Sequence, residues 1–225
     1  SVGSTLTGTQ GTWTSATAIT FTRAWYSCTT RHTAATSTQP AACSVIPGAS
    51  GTTFAPTSAQ AARFISYAVT ATNADGALTR WSAATVAVTS APVNTVAPTI
   101  TGTAGVGSVL TSTTGTWVGS PTPTLTRAWF RCTSPVNNTS TTLPAGCTQI
   151  TGATAATYTL VAADAARYIT VRVAATNTLG TVNLWSDSTS IVLQPPNNTV
   201  APTITGTASV GSTLTGTQGT WTSAT

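Results

Sequence analysis

Four cysteines, one histidine and three aspartates are the residues of this 225-residue chain best suited to chemistry. The cysteines form two equally spaced pairs, Cys28 with Cys43 and Cys132 with Cys147. A metal centre built on them would need four converging ligands, usually drawn from closely spaced Cys or His pairs. His32 is the only histidine, and Val136, which cannot ligate, stands at the corresponding place beside the second pair. The spacing therefore points to one disulfide per pair, each closing a loop worth about 3 kcal/mol of chain entropy. Disulfides in turn imply an oxidising surrounding. General acid–base catalysis needs a histidine, carboxylate or lysine with a tuned pKa. The chain has no Glu and no Lys, and Asp75, Asp164 and Asp187 align with Leu179, Gln60 and Ala83 in the other copy of the repeat described next. No carboxylate pair of the glycosidase kind recurs, and the glycines lack phosphate-loop spacing. The chain reads as a non-enzyme, with no catalytic residue, no cofactor and no metal ligand expected.

These alignments rest on an internal repeat. Trp13, Trp117 and Trp221 each close a Gly-Thr-Trp triplet at intervals of 104 residues. Both cysteine pairs, Trp25 with Trp129, and Trp81 with Trp185 keep the same offset. Residues 1–17 recur unchanged as 209–225, whereas residues 105–121 differ. Two copy types therefore alternate, and the larger unit is a pair of domains. Pro- and Asn-rich joints at 90–100 and 194–204 read as stiff extended spacers. The expected domains are 1–93, lacking its first strand; 94–197, complete; and 198–225, the opening strands of a third. The window looks cut from a longer continuous array.

Thr makes up about a quarter of the chain, and Thr and Val favour strands while Gly and Pro punctuate turns. In the complete copy, strands are expected at 97–104, 108–117, 124–132, 157–162, 168–177 and 182–193, with turns at 119–123 and 178–180 and a helical turn at 163–167. Ile169, Val171 and Val173 should face inward. Arg23 and Arg127 share strand parity with Trp25 and Trp129, so their stems should cover the rings and their guanidinium groups stack on them. The openings APTITGTA, VGSVLT and GTW, the central AWFRC, the TGAT and TYTL segments, and Asp164-x-x-x-Tyr168 followed by VRVAATN resemble bacterial immunoglobulin-like domains that occur in tandem on large surface proteins. The resemblance spans the whole chain. It implies an all-β fold of tandem immunoglobulin-like sandwiches and an extracellular array. It also places Asp164 and Tyr168 where a tyrosine corner forms; Gln60 and Phe64 exclude that corner in the first copy.

Only 5% of residues are charged, against roughly 25% in ordinary soluble domains. The net charge of +5 comes from scattered Arg, without the basic stripe that nucleic acid needs. No apolar run reaches the roughly 20 residues of a membrane helix, so neither nucleic acid nor membrane insertion is expected. Asn137, Asn138 and Asn197 begin N-x-S/T acceptor sequences. The leading expectation is a structural fibre, stalk or sheath at the cell surface or secreted, whose partners are neighbouring copies of itself. The alternative is an adhesin module that binds surface glycans or another cell.

Overall fold

The computed structural model describes residues 1–223. Ala224 and Thr225, which end the expected third domain and the 209–225 duplicate, lie outside the described residues. Among the described residues every regular element is a β-strand or a short 3-10 turn. The sheets are antiparallel wherever strand directions are resolved. The chain divides into two compact units, one of residues 1–93 with 118–124 and 176–181, the other of the remainder.

In the first unit a four-stranded sheet runs Cys43–Val45, Thr20–Cys28, Phe64–Asn73, Gly76–Trp81. Leu6–Thr7 pairs separately with Thr53–Phe54. The core gathers Trp25, Ile65, Tyr67, Val69 and Val88, with Leu6 and Phe54 packed against them. Another four-stranded sheet runs Cys147–Gln149, Thr124–Cys132, Tyr168–Asn177, Gly180–Trp185. A three-stranded sheet runs Thr157–Thr159, Val109–Ser112, Ile100–Thr101. Leu110 from the smaller sheet meets Trp129, Ile169 and Val171 from the larger in one core. Burying six such side chains supplies the main drive for folding.

The strand Tyr168–Asn177 matches its expected limits, and Ile169, Val171 and Val173 are fully buried. Its other face is covered too: Thr170 and Ala174 are buried. A second cluster of Phe130, Val136, Trp185 and the cystine packs on that side. The segment between the cysteines folds over the sheet's outer face, which two-residue alternation alone does not reveal.

Four expected strands are shorter than the sequence pattern indicates, and that at 97–104 is regular only over Ile100–Thr101. Val109–Ser112 and Thr116–Ser120 are separate strands, divided at Gly115, which adopts a φ of 67°. Thr157–Thr159 ends before Leu160. The expected strand 182–193 is regular only to Trp185. Beyond it Ser186, Thr189 and Val192 donate their N–H groups to the carbonyls of Val171, Ile169 and Arg167. Three residues thus advance for every two on the partner, which breaks the ladder. The Ser186 and Thr189 hydroxyls accept the N–H groups of Val171 and Ile169 and so restore the lost pairing. Ser82 and Thr85 do the same for Tyr67 and Ile65 in the first unit.

The C-terminal residues form two small ladders, Asn197–Val200 with Thr220–Thr222 and Thr203–Thr205 with Thr215–Thr217. Ile204 and Trp221 are exposed there, 76% and 53% respectively.

Candidate functional site

The cysteines lie where two neighbouring strands end side by side. Cys28 sits directly opposite Cys43, and Cys132 opposite Cys147. Each pair is bonded. Both cystines are buried and hold a loop against the outer face of the four-stranded sheet. In the second unit the Trp185 N–H donates to the Ser140 carbonyl, and Val136 joins the cluster under the loop. In the first, Thr36 and Trp81 exchange two backbone hydrogen bonds. The loop is thus anchored by its own backbone and by a Trp, as well as by sulfur.

His32 occupies the place of Val136. Its Nε2–H donates to the Ser82 carbonyl at 2.8 Å, and Nδ1 stands 3.8 Å from Cys43 Sγ. Cys28, His32 and Cys43 place their ligand atoms within 4.8 Å of one another. The two thiolates that a metal would require are joined in the S–S bond, so the triplet as folded presents one imidazole nitrogen beside a disulfide. Sequence spacing alone did not place His32 against the sulfur.

The three aspartates lie apart, each in a local hydrogen-bonded setting. Asp75 accepts from the Asn73 amide at a hairpin turn. Asp187 accepts from the backbone and side chain of Asn138, tying the cysteine loop down. Asp164 is fully buried. It accepts from Tyr158 Oη at 2.8 Å, from Arg131 Nε at 2.7 Å and from the Val161 N–H at 2.8 Å, and it pairs with Arg131 Nη2. The expected tyrosine corner is therefore replaced: Asp164 bonds Tyr158 rather than Tyr168. The cause is geometric, since Arg131 on the adjoining strand and Tyr158 before the 3-10 turn both converge on the carboxylate. Burial, followed by the bond to Asp164, pushes the Tyr158 hydroxyl up to about 12. The expected stacking of Arg23 and Arg127 on tryptophan is also corrected. Arg23 donates to the Gln10 side chain, and among the described residues the cation–π contact is Arg172 over Phe130, 5.6 Å from the ring centre.

One concave surface combines an aromatic ring with amide and carboxylate groups. It is an open groove of about 300 Å³ in the first unit, lined by Trp13, Ser15, Asn73, Asp75 and Leu78. Trp13 is fixed by its Nε1–H donating to the Gln10 carbonyl and by edge contact with Phe21. The Asn73 amide donates to Ser15 Oγ, and its carbonyl accepts the Asp75 N–H. Sequence spacing did not single out this groove, because Trp13 looked like one more core tryptophan.

Among the described residues no helix is long and apolar enough to cross a membrane. Compared with known proteins, the chain matches no family model, no curated protein and no solved structure.

Proposed function

We propose that this chain is an extracellular structural protein: a fibre, stalk or sheath of serial immunoglobulin-like β-sandwich domains at 1–93, 94–197 and 198–225, resembling the bacterial tandem-repeat kind. Its principal partner is another copy of itself. The observation that carries the reading is that contacts recur at residues 104 apart. Trp25 Nε1–H donates to Gly51 O and Trp129 Nε1–H to Ala155 O, each at 2.9 Å. The cystines, the hydroxyl-capped breaks at Ser82 and Ser186, and the glycine at each Gly-Thr-Trp triplet recur likewise. Serial copies of one unit supply length, and disulfides suit an oxidising exterior. A surface rich in Thr and poor in charge changes little with pH or salt.

The test is immunogold labelling of intact cells with antibody raised against the chain. Label along extracellular filaments or a surface layer is the expected result; label confined to the cell interior overturns the reading.

A second reading, the glycan-binding adhesin, draws on the Trp13 groove, because a ring beside amide and carboxylate groups is the usual chemistry of a sugar site. Binding to a glycan array, lost in Trp13→Ala with the fold intact, would favour it.

A further inference from the structure

We propose that the groove beside the loop closed by Cys132 and Cys147 binds a sugar that carries a carboxylate, of the uronic-acid class. The inference goes beyond the structural role and stands whether or not copies of the chain assemble into a fibre.

The groove has a volume of about 600 Å³ and is lined by Phe130, Leu143, Gln149, Arg172, Asn183 and Trp185. All of these residues belong to the second unit. Gln149 stands directly opposite Phe130 on the neighbouring strand. Asn183 lies two residues before Trp185 in the strand Gly180–Trp185 and so shares its face. The cysteine loop supplies the remaining wall, with Leu143 59% exposed. Small-molecule sites span roughly 300–1,000 Å³, so one or more sugar rings fit.

Arg172 gives the site its charge. Its guanidinium lies over the Phe130 ring, 5.6 Å from the centre, which holds it in place before a ligand arrives. Its Nε is buried and has no hydrogen-bond partner. The chain has no Glu, and its three aspartates are engaged elsewhere: Asp164 with Arg131, Asp187 with Asn138 and Asp75 with Asn73. Among the described residues Arg172 therefore has no counter-ion. Trp185 adds an unspent donor, since the residue is 2% exposed and its Nε1–H has no partner. Donors left without acceptors are costly in the free protein and favour a ligand that supplies oxygen.

The other copy shows what packing alone requires at this place. Tyr26 meets Trp81 edge-on with 6.1 Å between ring centres, as Phe130 meets Trp185 at 6.0 Å. The Trp81 N–H is unpaired as well. The aromatic floor is thus common to both copies, but the polar rim is not. Ala68, Val45 and Thr79 stand where the second copy has Arg172, Gln149 and Asn183. Thr79 is bonded to Thr70, and Gln39, the counterpart of Leu143, donates to the Cys43 carbonyl. The fold itself needs neither the arginine nor the two amides.

Together these groups match one ligand chemistry. A guanidinium fork takes a carboxylate through two parallel N–H···O bonds. The Gln149 and Asn183 amides each donate and accept, as sugar hydroxyls do. Leu143 offers apolar surface to the C–H face of a pyranose ring. An acidic peptide brings the carboxylate but lacks the adjoining hydroxyls.

The probe is a fluorescently tagged oligogalacturonate, titrated into the 225-residue chain and read by anisotropy. Saturable binding is expected. Three variants borrow the residue of the other copy, so the fold is kept, and a denaturant melt checks that it is. Arg172→Ala should weaken binding at least about ten-fold. Gln149→Val and Asn183→Thr should each weaken it about three-fold. Arg172→Lys keeps the charge and loses the fork, and about five-fold weaker binding is expected. The same oligosaccharide with its carboxyl groups reduced to alcohols should compete at least about ten-fold less well. Absence of saturable binding, unchanged affinity in Arg172→Ala, or equal competition by the carboxyl-reduced sugar or by a polyglutamate peptide overturns the proposal. Loss of binding in Trp13→Ala but not in Arg172→Ala places the sugar in the other groove and overturns it too. None of these results bears on the fibre reading, which the immunogold label decides.

Discussion

At the turn before the inner strand, the first unit has Ser27, Phe54 and Gln60 where the second has Arg131, Tyr158 and Asp164. Both sets satisfy the same backbone donor. Gln60 Oε1 accepts the Thr57 N–H at 2.9 Å, and Asp164 Oδ2 accepts the Val161 N–H at 2.8 Å. Once a carboxylate is buried, it needs Arg131 and Tyr158 to compensate the loss of water. A neutral amide needs neither, and Ser27 and Phe54 suffice. The three positions therefore differ as a set while the strands around them agree. Backbone and apolar packing define this unit, and polar solutions at its margins can be exchanged wholesale.

The largest effect that would break this comparison is expected in the cores. Trp129→Ala should destabilise its unit by about 3–5 kcal/mol, and Trp25→Ala its own by a similar amount, since both rings are buried with a satisfied Nε1–H. Denaturant melts of each variant measure this; an unchanged midpoint for either shows that its ring is not a core element.

Next come the buried carboxylate and the cystines. Asp164→Ala strands Arg131 and Tyr158 and should cost about 3 kcal/mol. Gln60→Ala, which loses only a neutral cap, should cost about 1 kcal/mol. Replacing the whole set, Arg131→Ser with Tyr158→Phe and Asp164→Gln, should restore part of the loss. If the triple variant is less stable than Asp164→Ala alone, the two sets are not interchangeable. Reducing either disulfide should cost about 3 kcal/mol. Intact mass after alkylation without reductant should show no free thiol, and four alkylated thiols would refute the pairing.

Much of this was legible in the sequence because it lay in apolar and covalent patterns. The strands Thr124–Cys132 and Tyr168–Asn177 and the cysteine pairs followed from residue type and spacing. The Asp164 site was misassigned because the sequence offered two tyrosines, and only the meeting of separate strands decides between Tyr158 and Tyr168. The irregular stretch after Trp185 was hidden for a related reason. Ser186 and Thr189 look like wet-face residues, but their hydroxyls replace ladder bonds. The Trp13 groove depends on residues about 60 positions apart, Trp13 and Asn73, meeting at one rim.

The smallest effect concerns alkali. The Tyr158 hydroxyl is raised to about 12, above an unfolded value of about 10. The stability it contributes is therefore complete below about pH 10 and is lost as pH rises towards about 12. Burial also raises Tyr67 in the first unit, against the opposing charge of Arg23, so both units should weaken in this range. Comparing melts between pH 9 and 12, Tyr158→Phe should lose less stability than the unsubstituted chain; an equal loss would show that Tyr158 titrates as it does in the unfolded state.

The central claim is that alternating copies of one β-unit run in series. Cryo-electron microscopy of the assembled native material tests it most directly, by counting domains in the axial repeat. Filaments whose repeat contains two domains, one with the His32 loop and one with the Asp164–Arg131 pair, are the predicted result. Isolated beads, or a filament in which every domain is identical, would contradict it.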